Sequence, residues 1–349
     1  MFMMNDILEN KQIARIAGKF HKAPHRMNDI HETDAEIVDL GTTSEKYLAI
    51  TTDALVEEIS SGLYEDPSLI GWMLAMANFS DLAAVGADPL GLLIAVTCAP
   101  SHDDTFLDQL SSGISDACDR LGTFVLGGDT NQGQSLMLCG TAVGTVPKSR
   151  VMRRVGASPN DKLYLTAPAG LGNVYAFLRL ARKDNGLPQG LYKPVARISE
   201  GKMIRQFASC CMDTSDGVIH TIDTLMRLNH RRFILDACWE KTVHPFALKV
   251  CRAQGFPAWL VLAAIHGEFE LCFTVEPRKE EEFLRAAERT GWTPILIGEV
   301  NEGEGVFIRS GDKAVRVDSA AIRNLADEAG SDPAAYIKHL LEVAHAVDL

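Results

Sequence analysis

The chain has 349 residues, enough for two domains that each bury an ordinary hydrophobic core. Its 34 basic side chains are outnumbered by 46 acidic ones, leaving 34 − 46 = −12 and a pI near 5.3, so it lacks the basic excess a nucleic-acid backbone binder needs. With 46% apolar and 23% charged residues, global disorder is excluded. No repeat of about 20–50 residues is visible, which excludes a solenoid or propeller. The eight cysteines, at positions 98, 118, 139, 210, 211, 238, 251 and 272, form no CxxC pair, so zinc and thioredoxin-type sites lose their usual support. The N-terminus turns polar too early for a signal peptide. Apolar runs such as 69–77 fall short of the ~20 residues that span a bilayer. A cytoplasmic protein with reduced thiols and no membrane partner is expected.

In chain order, 48–52 reads as a strand ending at Asp53. Asp66 then caps a helix with Pro67 at its first position, and Gly86 stops it. Leu69, Trp72, Met73, Met76, Phe79, Leu82 and Ala83 give that helix one buried stripe, with Ser80-Asp81 near its end. A strand at 91–98, a helix at 103–121 ended by Gly122, and a short strand at 123–126 lead into Gly127-Gly128-Asp129-Thr130, and a strand follows at 136–146. Pro147 and the basic stretch 148–154 mark a boundary, giving domains at 1–149 and 150–349.

The second half opens with a strand at 162–166 and a helix after Gly170-Leu171-Gly172, and 183–190 is a surface loop. A helix at 197–208 leads to Asp213-Thr214-Ser215-Asp216-Gly217 and a further helix. Then come a unit at 247–253, a strand at 269–275, a helix at 278–289, strands near 295–300, 306–308 and 314–317, and a last helix at 333–347. The predicted class is α+β in two domains.

Aspartates at the ends of these elements, beside glycine or small polar residues, are the best candidates for chemistry: Asp34, Asp53, Asp81, Asp129, Asp213 and Asp216. Carboxylates are hard oxygen ligands suited to Mg²⁺, and neighbouring glycines let backbone approach a phosphate. A single aspartate is more often a cap or turn former, so no one of these segments decides the matter.

Their order does more. Thr52-Asp53-Ala54-Leu55-Val56-Glu57, Asn78-Phe79-Ser80-Asp81-Leu82-Ala83-Ala84-Val85-Gly86-Ala87, Gly127-Gly128-Asp129-Thr130, Arg154-Val155-Gly156-Ala157-Ser158-Pro159-Asn160-Asp161, Asp213-Thr214-Ser215-Asp216-Gly217 and Gly267-Glu268-Phe269-Glu270-Leu271-Cys272-Phe273-Thr274-Val275 are collinear over about 34–300. Together they resemble the thiamine-monophosphate kinase family, within the aminoimidazole ribonucleotide synthetase-like superfamily. The resemblance implies a two-domain fold of that type, with mixed sheets flanked by helices. The implied activity is transfer of the ATP γ-phosphoryl group to the phosphate of thiamine monophosphate, with ATP and Mg²⁺ as cofactors. It further implies Asp34, Asp53, Asp81, Asp129 and Asp216 as metal ligands, with Asp129 and Asp216 catalytic, and Gly127, Gly128, Thr130, Arg154 and Ser215 on the nucleotide. A homodimer paired through the N-terminal domains is implied as well.

The departures cluster on the acceptor side. The family's Gly-Asp-Asp-Ala-Ala is here Glu32-Thr33-Asp34-Ala35-Glu36. Its glycine and His-Phe pair after Val-Glu are replaced in Glu58-Ile59-Ser60-Ser61-Gly62, and its Gly-Gly-Glu-Asp-Tyr-Glu becomes His266-Gly267-Glu268-Phe269-Glu270. The aromatic and histidine signature near the C-terminus is missing from 319–349. The expected partner is therefore ATP with a small phosphate-bearing metabolite that need not be thiamine monophosphate. An ATP-dependent synthetase or dehydratase of the same superfamily, or a non-catalytic nucleotide-binding relative, is the alternative. The scattered histidines form no HExxH pattern, the Cys210-Cys211 pair reads as buried packing, and the Trp72-to-Met76 cluster reads as core or a dimer surface, not a cofactor box.

Overall fold

The computed structural model describes residues 4, 6–17, 19–21, 23–181, 190–330 and 332–345, and the loop expected at 183–190 lies almost wholly outside them. The first half contains α1 (Leu8–Ala17), β1 (Glu36–Asp39), β2 (Lys46–Leu55), α2 (Glu57–Ser60), α3 (Pro67–Ala84), β3 (Asp88–Cys98), α4 (Asp104–Leu121), β4 (Val125–Gln132) and β5 (Met137–Pro147). Its five strands form a mixed sheet in the order β1-β2-β5-β3-β4, antiparallel except for the parallel β3-β4 edge. The second half contains β6 (Lys162–Leu165), α5 (Leu171–Ala176), α6 (Ile198–Ile204), β7 (Ala208–Asp213), α7 (Val218–Asn229), β8 (Arg232–Asp236), α8 (Trp239–Thr242), α9 (Pro245–Gln254), β9 (Leu271–Val275), α10 (Pro277–Arg289), β10 (Ile295–Asn301), β11 (Gly305–Ser310), β12 (Lys313–Val317), α11 (Ser319–Ala329) and α12 (Pro333–His345). Its seven-stranded mixed sheet runs β12-β11-β8-β10-β6-β9-β7.

Local signals account for the longest helices. Asp66 accepts from the Ser68 amide ahead of Pro67, and Asp103 accepts from the Phe106 amide while Gly122 ends α4 in the left-handed region. The single apolar stripe expected of α3 is corrected by the structure. Residues 70–76 are buried all round, because α3 is covered by β2 and β5, by α4, and by α6 and β7 of the second half. The predicted helix at 197–208 is shorter, and β7 takes over at Ala208, where the run Ala-Ser-Cys-Cys-Met joins the sheet edge. β4 likewise absorbs the Gly127-Gly128-Asp129-Thr130 segment into an edge strand, where a loop-like motif was expected to follow a strand. No helix among the described residues is long and apolar enough to cross a membrane.

Both faces of the second sheet are buried. One is continuous with the core around α3, through Tyr164, Leu271, Phe273 and Phe283, and the other packs on α7, α9 and α11. The halves are thus bound along α3, with Trp72 Nε1 donating to the Pro194 carbonyl at 2.7 Å and Lys202 pairing with Asp88 at 2.9 Å. The N-terminal segment crosses to the second half. Arg227, 3% exposed at its side chain, is held between Asp223 and Asp6 at 2.6 Å each, and the Leu8 amide donates to Asn324.

Candidate active site at the junction of the two halves

Three aspartates from distant parts of the chain converge where the end of α3 meets the end of β7. Asp34 lies just before β1, Asp81 in the last turns of α3, and Asp213 at the last position of β7. Each offers a carboxylate oxygen within 4.8 Å of the other two. Asp81 accepts from Thr51 Oγ1 of β2 at 2.5 Å, and Asp213 accepts from Ser80 Oγ at 2.6 Å and Ser215 Oγ at 3.2 Å. The Ser80–Asp213 bond spans the two halves, so the helix and the strand that supply two of the carboxylates are fixed to each other directly.

The electrostatics are those of an anionic pocket short of cations. Burial, followed by repulsion from Asp213, Asp53 and Asp34, pushes the Asp81 carboxyl well above the ordinary range. Burial and then Asp34 push Asp213 up to about 7. Asp34 is 1% exposed at its side chain and receives one bond, from Arg154 Nη2 at 2.9 Å to Oδ1. Its Oδ2 is buried without a hydrogen-bond partner among the described residues, and an unpaired buried carboxylate oxygen is costly unless a cation or a proton completes it. Burial works against the charge of Arg154, but Asp34, with Asp213 and Asp81 behind it, outweighs that and holds the guanidinium firmly protonated. One arginine against three carboxylates leaves negative charge to be neutralised. The donor set is all hard oxygen, and it fits a Mg²⁺-type ion.

Two further expected ligands border this centre. Asp53 lies on β2 with its amide held by Asn78 Oδ1 of α3 at 3.0 Å; it is reachable by solvent yet enclosed on most sides, and that desolvation raises its carboxyl. Asp216 sits at the open side of the turn after β7. The surrounding protein, then Glu9, raises it to about 6 against the pull of Arg323. Ser215 lies beside it.

Asp129 stands apart. Asp53, Gly140, Ile94 and Gly128 are cross-strand partners in one row, and Ala54, Cys139, Ala95 and Asp129 form the next. Partners in a row share a sheet face and successive rows alternate, so Asp129 faces away from α3 and from the Asp53 side. It lies three strands from β2, about 14 Å at ~4.8 Å per strand, exposed on β4 and hydrogen-bonded by Asn131 Nδ2 at 2.9 Å. Gly127, Gly128 and Thr130 are exposed along the same edge. Gly128 also has a packing reason to be glycine, because a Cβ there would lie 2.0 Å from the Ile94 carbonyl oxygen.

The triad therefore combines two members of the expected ligand set with Asp213, a candidate aspartate outside it. Its signal in the sequence is its place three residues before Asp216 at the end of an apolar run. The contacts from Thr51, Ser80 and Asn78 had no signal of their own, since hydroxyl and amide residues at these positions read equally well as ordinary helix and strand residues.

Residues 32–146 match the family model described as AIR synthase related protein, N-terminal domain. Thiamine-monophosphate kinase of Escherichia coli K12 is 31% identical over 283 residues, covering 78% of this chain and 85% of that protein. The enzyme of the same description from Methanocaldococcus jannaschii is 33% identical over 282 residues, covering 75% and 84%. The chain belongs to the thiamine-monophosphate kinase family. It is accordingly an ATP-dependent kinase with an AIR synthase-like fold. The family fold is shared with the solved structure of AaThiL complexed with AMPPCP and TMP, at a TM-score of 0.71 and 23% identity over 89% of this chain and 97% of that one.

Proposed function

We propose that the chain transfers the γ-phosphoryl group of ATP to the phosphate of a small acceptor, thiamine monophosphate or a phosphate-bearing compound of its class, in a Mg²⁺-dependent reaction. The observation that carries this reading is the Asp34–Asp81–Asp213 triad with an unpaired buried carboxylate oxygen. Asp34, Asp81 and Asp213 would hold the central ion, with Asp53 and Asp216 flanking it. Bound there, Mg²⁺ would offset the repulsion between two anionic phosphates and favour an in-line approach. The chain's own work is positioning: Thr51 and Ser80 hold the carboxylates, Ser215 and Arg154 face the nucleotide phosphates, and the two bonded halves fix the distance between them. An acceptor phosphate is already ionised, so no strong general base is required.

The reading extends to the division into domains at 1–149 and 150–349 and to a homodimer. The sheet face that carries Asp129 also carries the exposed Leu93 and Met137, a suitable surface for a second copy. Asp129, with Gly127, Gly128 and Thr130, would then act on nucleotide phosphates at that interface. The test of the activity is product analysis after incubation with ATP, Mg²⁺ and thiamine monophosphate or other phosphate-bearing metabolites. ADP and a phosphorylated acceptor in equal amounts are expected. ADP with inorganic phosphate and no phosphorylated acceptor would overturn the kinase step.

A further inference from the structure

Two separated departures from the family pattern meet in space. His266 occupies the first position of a motif, where the family has glycine, and Tyr64 lies two residues beyond the altered segment Glu58–Gly62, its amide donating to the Glu58 carbonyl at 3.2 Å. Tyr64 Oη lies 3.0 Å from His266 Nε2, and Tyr192 Oη lies 3.1 Å from the same nitrogen and donates to the Gly267 carbonyl at 3.2 Å. Tyr175 stacks on Tyr192 at 4.5 Å between ring centroids and donates its hydroxyl to the Leu63 carbonyl at 3.0 Å. Tyr64 and Tyr192 are 2% and 5% exposed. One histidine nitrogen is thus fixed by a tyrosine of the first half and a tyrosine of the second.

The next residue carries this arrangement to the site. The Gly267 amide donates to the Ser215 carbonyl at 2.8 Å, and a Cβ on Gly267 would lie 1.8 Å from the Thr214 carbonyl oxygen and 2.7 Å from the Gly217 amide nitrogen. The backbone after His266 is therefore pressed against the Thr214–Gly217 turn, the turn that follows Asp213 and carries Ser215 and Asp216. Any displacement of His266 moves the floor of that turn, since close-packed backbone transmits shifts with little slack.

We propose that the Tyr64–His266–Tyr192 triad is a positioning device for the Thr214–Gly217 turn, holding the second-half metal and nucleotide residues in register with Asp53 and Asp81 of the first half. The proposal rests on the assignment of the aspartate centre to metal and nucleotide. The rings touch one another and the backbone; His266 acts through Gly267. The two hydroxyls act through one nitrogen, so their loss is not additive.

The experiment is calorimetric titration with AMPPCP in the presence of Mg²⁺, alongside thermal unfolding, for the wild type, Y64F, Y192F, the double variant and H266Q. Both tyrosine changes keep the ring and remove only the hydroxyl. Each is expected to weaken Mg²⁺-dependent AMPPCP binding about three- to tenfold, and to raise the Mg²⁺ concentration needed for half-saturation, at temperatures where the fold is intact. The double variant should lose little more than the stronger single one, and H266Q, whose side-chain amide can donate to or accept from the hydroxyls, should lie nearer the wild type than either tyrosine variant. Lowered melting temperatures with unchanged AMPPCP and Mg²⁺ affinities would show a purely structural clasp and overturn the proposal alone. Failure of the wild type to bind AMPPCP with Mg²⁺ would overturn the metal–nucleotide reading, and the proposal with it.

Discussion

The two faces of the first sheet use aspartate in opposite ways. On the face covered by α3, Asp81 meets Asp34 and Asp213 in a buried, mutually repelling group with Asp53 at its border. On the other face Asp129 lies on an exposed edge strand, hydrogen-bonded by Asn131. The difference teaches that the same residue type beside the same kind of small residues has two meanings. Where carboxylates are driven together and desolvated, the fold carries a cost that protonation or a bound cation relieves; where one stands in solvent, it carries no such cost.

The comparison breaks or sharpens under substitution. The largest effect is expected for D81N and D213N, which should reduce Mg²⁺-dependent AMPPCP binding on the order of 100-fold by calorimetry, whereas D129N should cost about tenfold or less. A loss in D129N as large as in D213N would mean that the outer face belongs to the same centre. Next, D213N should stabilise the metal-free protein while removing its response to Mg²⁺, raising the melting temperature by about 1–2 °C for each kcal/mol of repulsion relieved. D129N should leave that temperature unchanged.

The pH dependence has a definite sign. Asp213 and Asp216 are raised from 3.8 to about 7 and about 6, so between pH 4 and 7 the folded metal-free chain holds more protons than the unfolded one. Their contribution to stability is therefore lost as pH rises through that window. Melting curves in a chelator should show it, and saturating Mg²⁺ should flatten the decline by favouring the ionised carboxylates. A metal-free protein that instead gains stability from these groups over the same window would contradict the description of the inner face. The smallest effect on the isolated chain is expected from L93E on the outer face. It should shift sedimentation from dimer to monomer with little change in the far-ultraviolet spectrum; an unchanged dimer would remove that face from the interface.

Much of the fold was legible locally. Asp66-Pro67 and Asp103 with Gly122 announced α3 and α4, because capping depends on a few neighbouring residues. β7 and β8 were hidden. The apolar run before Asp213 follows a helix too closely for periodicity to separate them, and five residues at Arg232–Asp236 gain strand character only from β10 and β11 on either side. The site was half legible for the same reason: motif order identified which aspartates to consider, but grouping them needed distances between residues 34, 81 and 213 that no local signal carries.

Sequence by itself therefore determined the family, the kinase class and a short list of acidic residues, since those depend on residue types in a collinear order. Tertiary structure decided that Asp213 joins Asp34 and Asp81, that Asp129 points away from Asp53, and that Tyr64, Tyr192 and His266 share one nitrogen. The physical reason is parity and distance. A single-residue step along a strand reverses the face a side chain occupies, and contacts between residues more than a hundred positions apart exist only once the sheets and α3 have packed.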